Sequence, residues 1–178
     1  TAPAHIKTSV AVLPFVNMST DGENEYFCDG ITEEIINALT TVKGLKVIAR
    51  TSSFAFKNKN IDVRTIGDKL GVSTVLEGSV RKANNKVRIT AQLINLDGTH
   101  FWSKNFDRDL EDIFALQDEI SLNIADRIRE NFGHLNIQEH LIEAPTQNIE
   151  AYNLYLKGRY HHLMWDGPGI ANAIELYE

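Results

Sequence analysis

Apolar and polar residues alternate without a break from Val87 to Leu93, with Arg88, Thr90 and Gln92 set between Val87, Ile89, Ala91 and Leu93. A period of two marks a strand with one buried and one wet face. Asn84-Asn85 ahead of it and Asp97-Gly98 behind it are turn pairs, since Asn and Gly tolerate positive φ. Residues 72–107 therefore predict a three-strand antiparallel meander: Val72 to Val80, then about 86–95 and 99–106.

Upstream the pattern changes. Ser9 to Val16 is nearly all apolar and short, as expected of a strand buried on both faces, with Pro14 near its end. A polar loop from Asn17 to Gly22 leads into a helix starting at Glu25 or Gly30 and running to Val42, with Ile31, Ile35, Ile36 and Leu39 on one face and Gly44 ending it. Residues 45–50 predict a second buried strand. Asp62 caps a short helix carrying Val63, Ile66 and Leu70, stopped by Gly71. Strand, helix, strand, helix, strand implies parallel pairing, so the expected fold is α/β: a mixed sheet with the meander at one side, clad by helices. The stripe Leu110, Ile113, Leu116, Ile120, Ile124, Ile128 supplies a long covering helix.

Periodicity fades over 134–147, and Ala144-Pro145-Thr146 reads as a linker. Beyond it Ile149 to Tyr160 is helical and rich in Tyr, Trp165 to Gly169 is a turn, and Ile170 to Glu178 restarts a helix. The expected organisation is an α/β domain over 8–133, a linker over 134–147 and a helical hairpin over 148–178. Such a pair normally stacks on a neighbour in a repeat array.

Composition narrows the function. The 178 residues are 43% hydrophobic with net charge −6, which disfavours non-specific nucleic-acid binding. Cys28 stands alone, so it forms no intramolecular disulfide or multi-thiolate site, and it reads as a small buried residue. No apolar run reaches the ~18–20 residues that cross a bilayer. No signal peptide is visible, and Thr1-Ala2-Pro3-Ala4 reads as a linker with room for an anchor upstream.

Candidate chemistry is sparse. Arg50-Thr51-Ser52-Ser53 leaves the carboxyl end of the second strand and Asn17 leaves that of the first, where open sheets bind ligands. A guanidinium with hydroxyls and loop amides suits a small anion. The competing reading is a polar turn, with Ser52 or Ser53 capping backbone and Arg50 paired with Glu77 or Asp29. Walker and dinucleotide glycine spacings are missing, and no cofactor is expected. The acidic group Asp21, Glu23, Glu25, Asp29, Glu33, Glu34 lacks EF-hand spacing and sits where a helix start favours acids, so no metal is expected. His161 and His162, adjacent on a helix, point about 100° apart and do not converge on one ion. No Gly-x-Ser-x-Gly elbow exposes a serine.

Several segments occur in a familiar order: Val10 to Phe15, Glu25 to Thr32, Val47 to Ser53, Val75 to Arg81, Arg88 to Leu93 and Asp112 to Ile120. Over about residues 8–132 the chain resembles the TolB amino-terminal-like domain of bacterial signalling proteins, including some labelled adenylate cyclases and membrane-bound transcriptional regulators. The resemblance implies an effector upstream and tetratricopeptide repeats downstream. Leu154, Gly158, Ala173 and Tyr177 fall near that repeat's packing positions, although the gap from Gly158 to Ala173 is longer than usual. It implies no catalytic residue.

The expectation is a non-catalytic sensory, regulatory or interaction module. It binds a protein partner through repeats or a sheet edge, or a small anion, with no direct nucleic-acid contact and homodimerisation open. The alternatives are a regulatory part of an adenylate or guanylate cyclase whose catalytic domain lies outside the chain, and a structural envelope scaffold. The resemblance favours the periplasmic side of a membrane-anchored protein, the cytoplasm being the other placement.

Overall fold

The computed structural model describes residues 8–164 and 166–178, so Thr1 to Ala4 and Trp165 lie outside the described residues. Among the described residues, a six-stranded mixed sheet carries six α-helices. β1 (Ser9–Val12) lies between β3 (Lys46–Val47) and β4 (Thr74–Ala83), parallel to both. β5 (Lys86–Asn95) and β6 (His100–Asp109) continue the sheet antiparallel, giving the order β3-β1-β4-β5-β6.

All four residues of β1 are buried because both faces are covered. Val10 and Val12 face a core shared with α1 (Glu25–Thr40) and α4 (Ile113–Phe132). Ala11 and Leu13 face a second core with Ile66 and Val72, closed by α3 (Val63–Leu70). The expected single strand over 9–16 divides at Pro14, which has no N–H to give the sheet. The Phe15 amide donates instead to the Thr32 hydroxyl (3.0 Å), and Val16–Asn17 resume as β2 against Ser79 and Val80 of β4.

The expected strand over 45–50 is likewise shorter. After Lys46–Val47 the chain turns at Ala49 into α2 (Arg50–Phe54), where the Ser52 and Ser53 amides donate to the Ala49 carbonyl. Residues 50–53 are thus helix rather than loop. Ala49, not Ser52 or Ser53, is the cap. Asp62 does cap α3, accepting from the Arg64 amide at 2.9 Å, and Gly71 ends it at φ +64.

The meander turns at Asn84 (φ 53) and at Gly98 (φ 87). Val87, Ile89, Ala91 and Leu93 are buried, while Arg88 on the opposite face is exposed. α4 buries Ile113, Leu116, Ile120, Ile124 and Ile128 as one stripe.

Residues 133–148 run as a strap along the body. Lys43 and Asn136 form a backbone bridge, Leu135 is buried, and Ile137 and Leu141 pack on the core. Asp118 of α4 accepts from the Leu141 (2.7 Å) and Ile142 (3.0 Å) amides and pairs with His140 (2.8 Å). The strap delivers α5 (Ile149–His162), capped by Asn148, onto α1. α6 (Gly167–Tyr177) packs on α5; it starts earlier than the pattern indicated because Asp166 caps it at the Gly169 amide (2.6 Å) and Pro168 fits its first turn.

Candidate functional site

Glu25, Asp29 and Glu33 recur at four-residue steps and so share one face of α1. Opposite them α2 and its exit bring Arg50 and Lys57, and α5 brings Arg159. Of these, Asp29, Glu33, Arg50 and Arg159 enclose, together with Tyr26, Leu156 and Tyr160, a cleft of about 220 Å³.

Glu33 is the hub. Its carboxylate accepts two bonds from the Arg159 guanidinium, at 3.1 Å from Nε and at a second, shorter contact from Nη2, and lies 3.4 Å from Arg50 Nε. The guanidinium carbon of Arg50 lies over the Phe54 ring, 3.9 Å from its centre. Arg159 also donates to the Tyr155 hydroxyl (3.1 Å), and Tyr155 packs on Tyr177 of α6. Contacts therefore run from Tyr177 on the tail to Phe54 beside the sheet.

A second ion pair joins Asp29 of the cleft to Lys57 beside it. Lys57 reaches both oxygens of Asp29 at 2.7 Å and Glu25 at 3.1 Å. Burial pushes the Asp29 carboxyl above its ordinary range, and Lys57 offsets this only in part. Burial opposes the charge on Lys57, yet Asp29 and Glu25 outweigh it and lift its pKa. Arg159 follows the same logic, with burial overcome by Tyr155 and Glu33. The cleft's charges are committed to one another, which suits a lock between elements better than proton transfer.

The rest of the α5 seam is shaped for its occupant. Leu156 packs over Gly30, where a side chain would collide with it. Tyr152 is buried, stacks edge-on against Phe114 and accepts from Gln117 Nε2 at 3.1 Å. Tyr152, Leu156 and Arg159 thus anchor α5 at i, i+4 and i+7. Among the described residues, Gln117 Oε1 and Asn153 Oδ1 are buried without a hydrogen-bond partner.

The sequence-derived site residues do not gather in one place. Arg50 lines the cleft and pairs with Glu33 rather than with Asp29 or Glu77. Thr51 and Ser52 are exposed, while Ser53 is buried and its hydroxyl has no partner among the described residues. Asn17 lines a different crevice, beyond the carboxyl end of β1, and its side chain closes a local turn by accepting from the Ser19 amide (2.9 Å) and donating to the Asp21 carbonyl (3.1 Å). Cys28 is buried and its pKa is pushed up to about 12, chiefly by desolvation. His161 stacks edge-on against Tyr160 at the end of α5. Among the described residues no group of His, Cys, Asp or Glu is arranged to hold a metal, the Glu23 side chain lying outside them. Arg159 and Lys57 were the partners not anticipated; the four-residue spacing of the α1 acids is the signal that called for cations.

The model of the HilA/YgeH-like transcriptional regulator second domain matches residues 6–123. The chain belongs to that family. It is 49% identical over 154 residues, 86% of its length, to the protein named "Putative adenylate cyclase 3" of Rhizobium meliloti (strain 1021), and it spans about a quarter (26%) of that relative. The fold is shared with TolB from Acinetobacter baumannii: TM-score 0.50, 13% identity, 69% of this chain and 28% of that one. Lipoprotein GNA1162 from Neisseria meningitidis gives 0.48 at 18% identity, over 57% of this chain and 80% of that one. A regulator-type domain is the coarse functional class this membership carries. No described helix is long and apolar enough to cross a membrane.

Proposed function

We propose that the chain is a non-catalytic regulatory module of a larger bacterial signalling protein, in which the α/β body senses how its helical tail is engaged. The observation that carries this is Arg159, which holds Tyr155 on the outward side of α5 and Glu33 on the body at once. Leu154, Tyr155, Ile170, Ile174 and Tyr177 leave apolar surface on α5 and α6 exposed. A further helical repeat, of the tetratricopeptide kind, or a protein partner would cover that surface and compete for Tyr155. Arg159 would then loosen on Glu33, and the change would reach Arg50 and the sheet. A partner shifts the balance only by favouring one of these two states.

Expected domain limits are 8–133 for the body and 148–178 for the start of the repeat region. The outer edge of β6, unpaired among the described residues, is a second surface for a partner or a second copy. An envelope-facing placement is in keeping with the TolB fold.

The test is amide exchange on the chain with Arg159→Ala. Exchange should rise in α5 and along the Glu33 turn of α1 while β5 stays protected. Unchanged α1 protection overturns the coupling.

A second reading, that this is the regulatory part of an adenylate or guanylate cyclase, is favoured by the relative's name and identity. The chain alone, given ATP or GTP with Mg²⁺, should form no cyclic nucleotide. The full-length protein should form it at a rate that Arg159→Ala changes. Turnover by the chain itself overturns the non-catalytic reading, and full-length protein without turnover overturns the cyclase reading.

A further inference from the structure

The crevice beside Asn17 is distinct from the α5 cleft and arises from the topology. β1 connects to β3 through α1 on one face of the sheet, whereas the connection from β3 to β4 passes through α2, whose Phe54 still packs on the α1 side, and then covers the other face with α3. The two connections part company at the carboxyl end of β1, which is where open α/β sheets hold ligands. A crevice of about 480 Å³ lies there, within the range of small-molecule sites.

Its walls combine apolar surface with two unused charges. Phe15, Phe56, Ile61 and Ile66 line it, and Phe15 packs against Gly78 of β4, where a Cβ would stand 2.6 Å from the ring. Glu25 and Lys57 reach its rim, but they are already paired, with each other and with Asp29. Glu77 and Lys59 are different. Glu77 stands on β4, one residue before Gly78 and two after Val75, on the face that α3 covers. Lys59 sits on the connection between α2 and α3. Among the described residues, neither side chain makes a hydrogen bond or an ion pair.

We propose that this crevice binds a small zwitterion with an apolar body, of amino-acid or dipeptide size, its ammonium facing Glu77 and its carboxylate facing Lys59. A simple anion fits poorly, because the other cation on the rim, Lys57, is held by two carboxylates. A simple cation would leave Lys59 unanswered. A ligand bearing both charges satisfies both walls, and its hydrocarbon part covers Phe56 and Ile61. This pairing of opposite charges differs from the anion expected at Arg50 to Ser53, and the site does not depend on the α5 lock.

The experiment is calorimetric titration and thermal shift of the 178-residue chain with leucine and leucyl-leucine. 4-Methylpentanoate and 3-methylbutylamine serve as probes lacking one charge. At least one zwitterion should bind and raise Tm, and each single-charge probe should bind at least tenfold more weakly. Glu77→Gln and Lys59→Gln should each weaken the zwitterion tenfold or more, with circular dichroism unchanged. Arg88→Gln, on the exposed face of β5, should leave affinity unaltered. No heat and no Tm shift with either zwitterion overturns the proposal, as does binding indifferent to either charge.

Discussion

Leu156 of α5 sits so close to Gly30 of α1 that a Cβ at position 30 would stand 2.6 Å from one Leu156 methyl and 2.8 Å from the other. Gly30 is buried within a helix whose backbone would otherwise favour Ala. Its value lies in the notch it leaves for the tail.

Gly30→Ala therefore pulls in two directions. Helix propensity gains about 1 kcal/mol for α1, while overpacking against Leu156 costs about 1–3 kcal/mol. Because the colliding atoms end a side chain of α5, the tail yields first. Amide exchange should speed several-fold in α5 with little change in β4 and β5. A uniform change across the chain would contradict the notch.

Glu33 should matter more than either arginine it holds. Glu33→Ala leaves two guanidiniums in a cleft without their shared carboxylate, at a cost of about 3 kcal/mol. Arg159 is 39% exposed, so Arg159→Ala should cost only about 1 kcal/mol. Denaturant melts of both variants and the double mutant test this. Equal single-mutant costs that simply add would remove Glu33 from the hub position.

The Asp118–His140 clamp predicts a pH window. His140 is raised by its bond to Asp118, so its contribution is full below about pH 6.5 and fades as pH climbs through the raised value. Burial works against the Asp118 charge, but His140 and the Leu141 and Ile142 amides outweigh it and lower the pKa. That contribution is full above about pH 4 and is lost as pH falls through the lowered value. Exchange of the Leu141 and Ile142 amides, corrected for intrinsic rate, should be slowest between those limits. His140→Ala should abolish the alkaline limb and keep the acid one.

Cys28 should be inert. With its pKa near 12 and its side chain buried, iodoacetamide at pH 8 should label it only after unfolding. Labelling at the rate of a free thiol in native protein would refute the packing around it.

Gly78→Ala should be among the most damaging single changes. The new Cβ would meet the Phe15 ring at 2.6 Å and the Thr90 carbonyl oxygen at 2.7 Å, and backbone oxygen in a paired strand cannot swing away. A loss of about 2–3 kcal/mol is expected from overpacking, read as a lower denaturant midpoint. A wild-type midpoint would contradict that contact.

The elements legible from sequence were those whose pattern is local. Val87 to Leu93 declares a two-faced strand, and Asp62 with Gly71 brackets a helix, because each signal lies within a few residues. The failures arose where distant partners decide. Arg50 to Phe54 became helix because Ala49 turns away once Lys46 and Val47 have paired with β1. The strand at Ser9 divides at Pro14, and the Phe15 amide that follows is taken by Thr32, seventeen residues on, a partner the local pattern does not announce. The acids of α1 were visible on one face, yet the cations answering them come from α2, its exit and α5, and a single sequence does not show that convergence.

Asp118 grips the backbone just ahead of α5, so it fixes where detachment stops. Tension on the carboxyl end would peel the helix from Arg159 back towards Tyr152, one anchor at a time, and halt at residues 141 and 142. The sheet behind that stop would feel no strain until the clamp itself gave way.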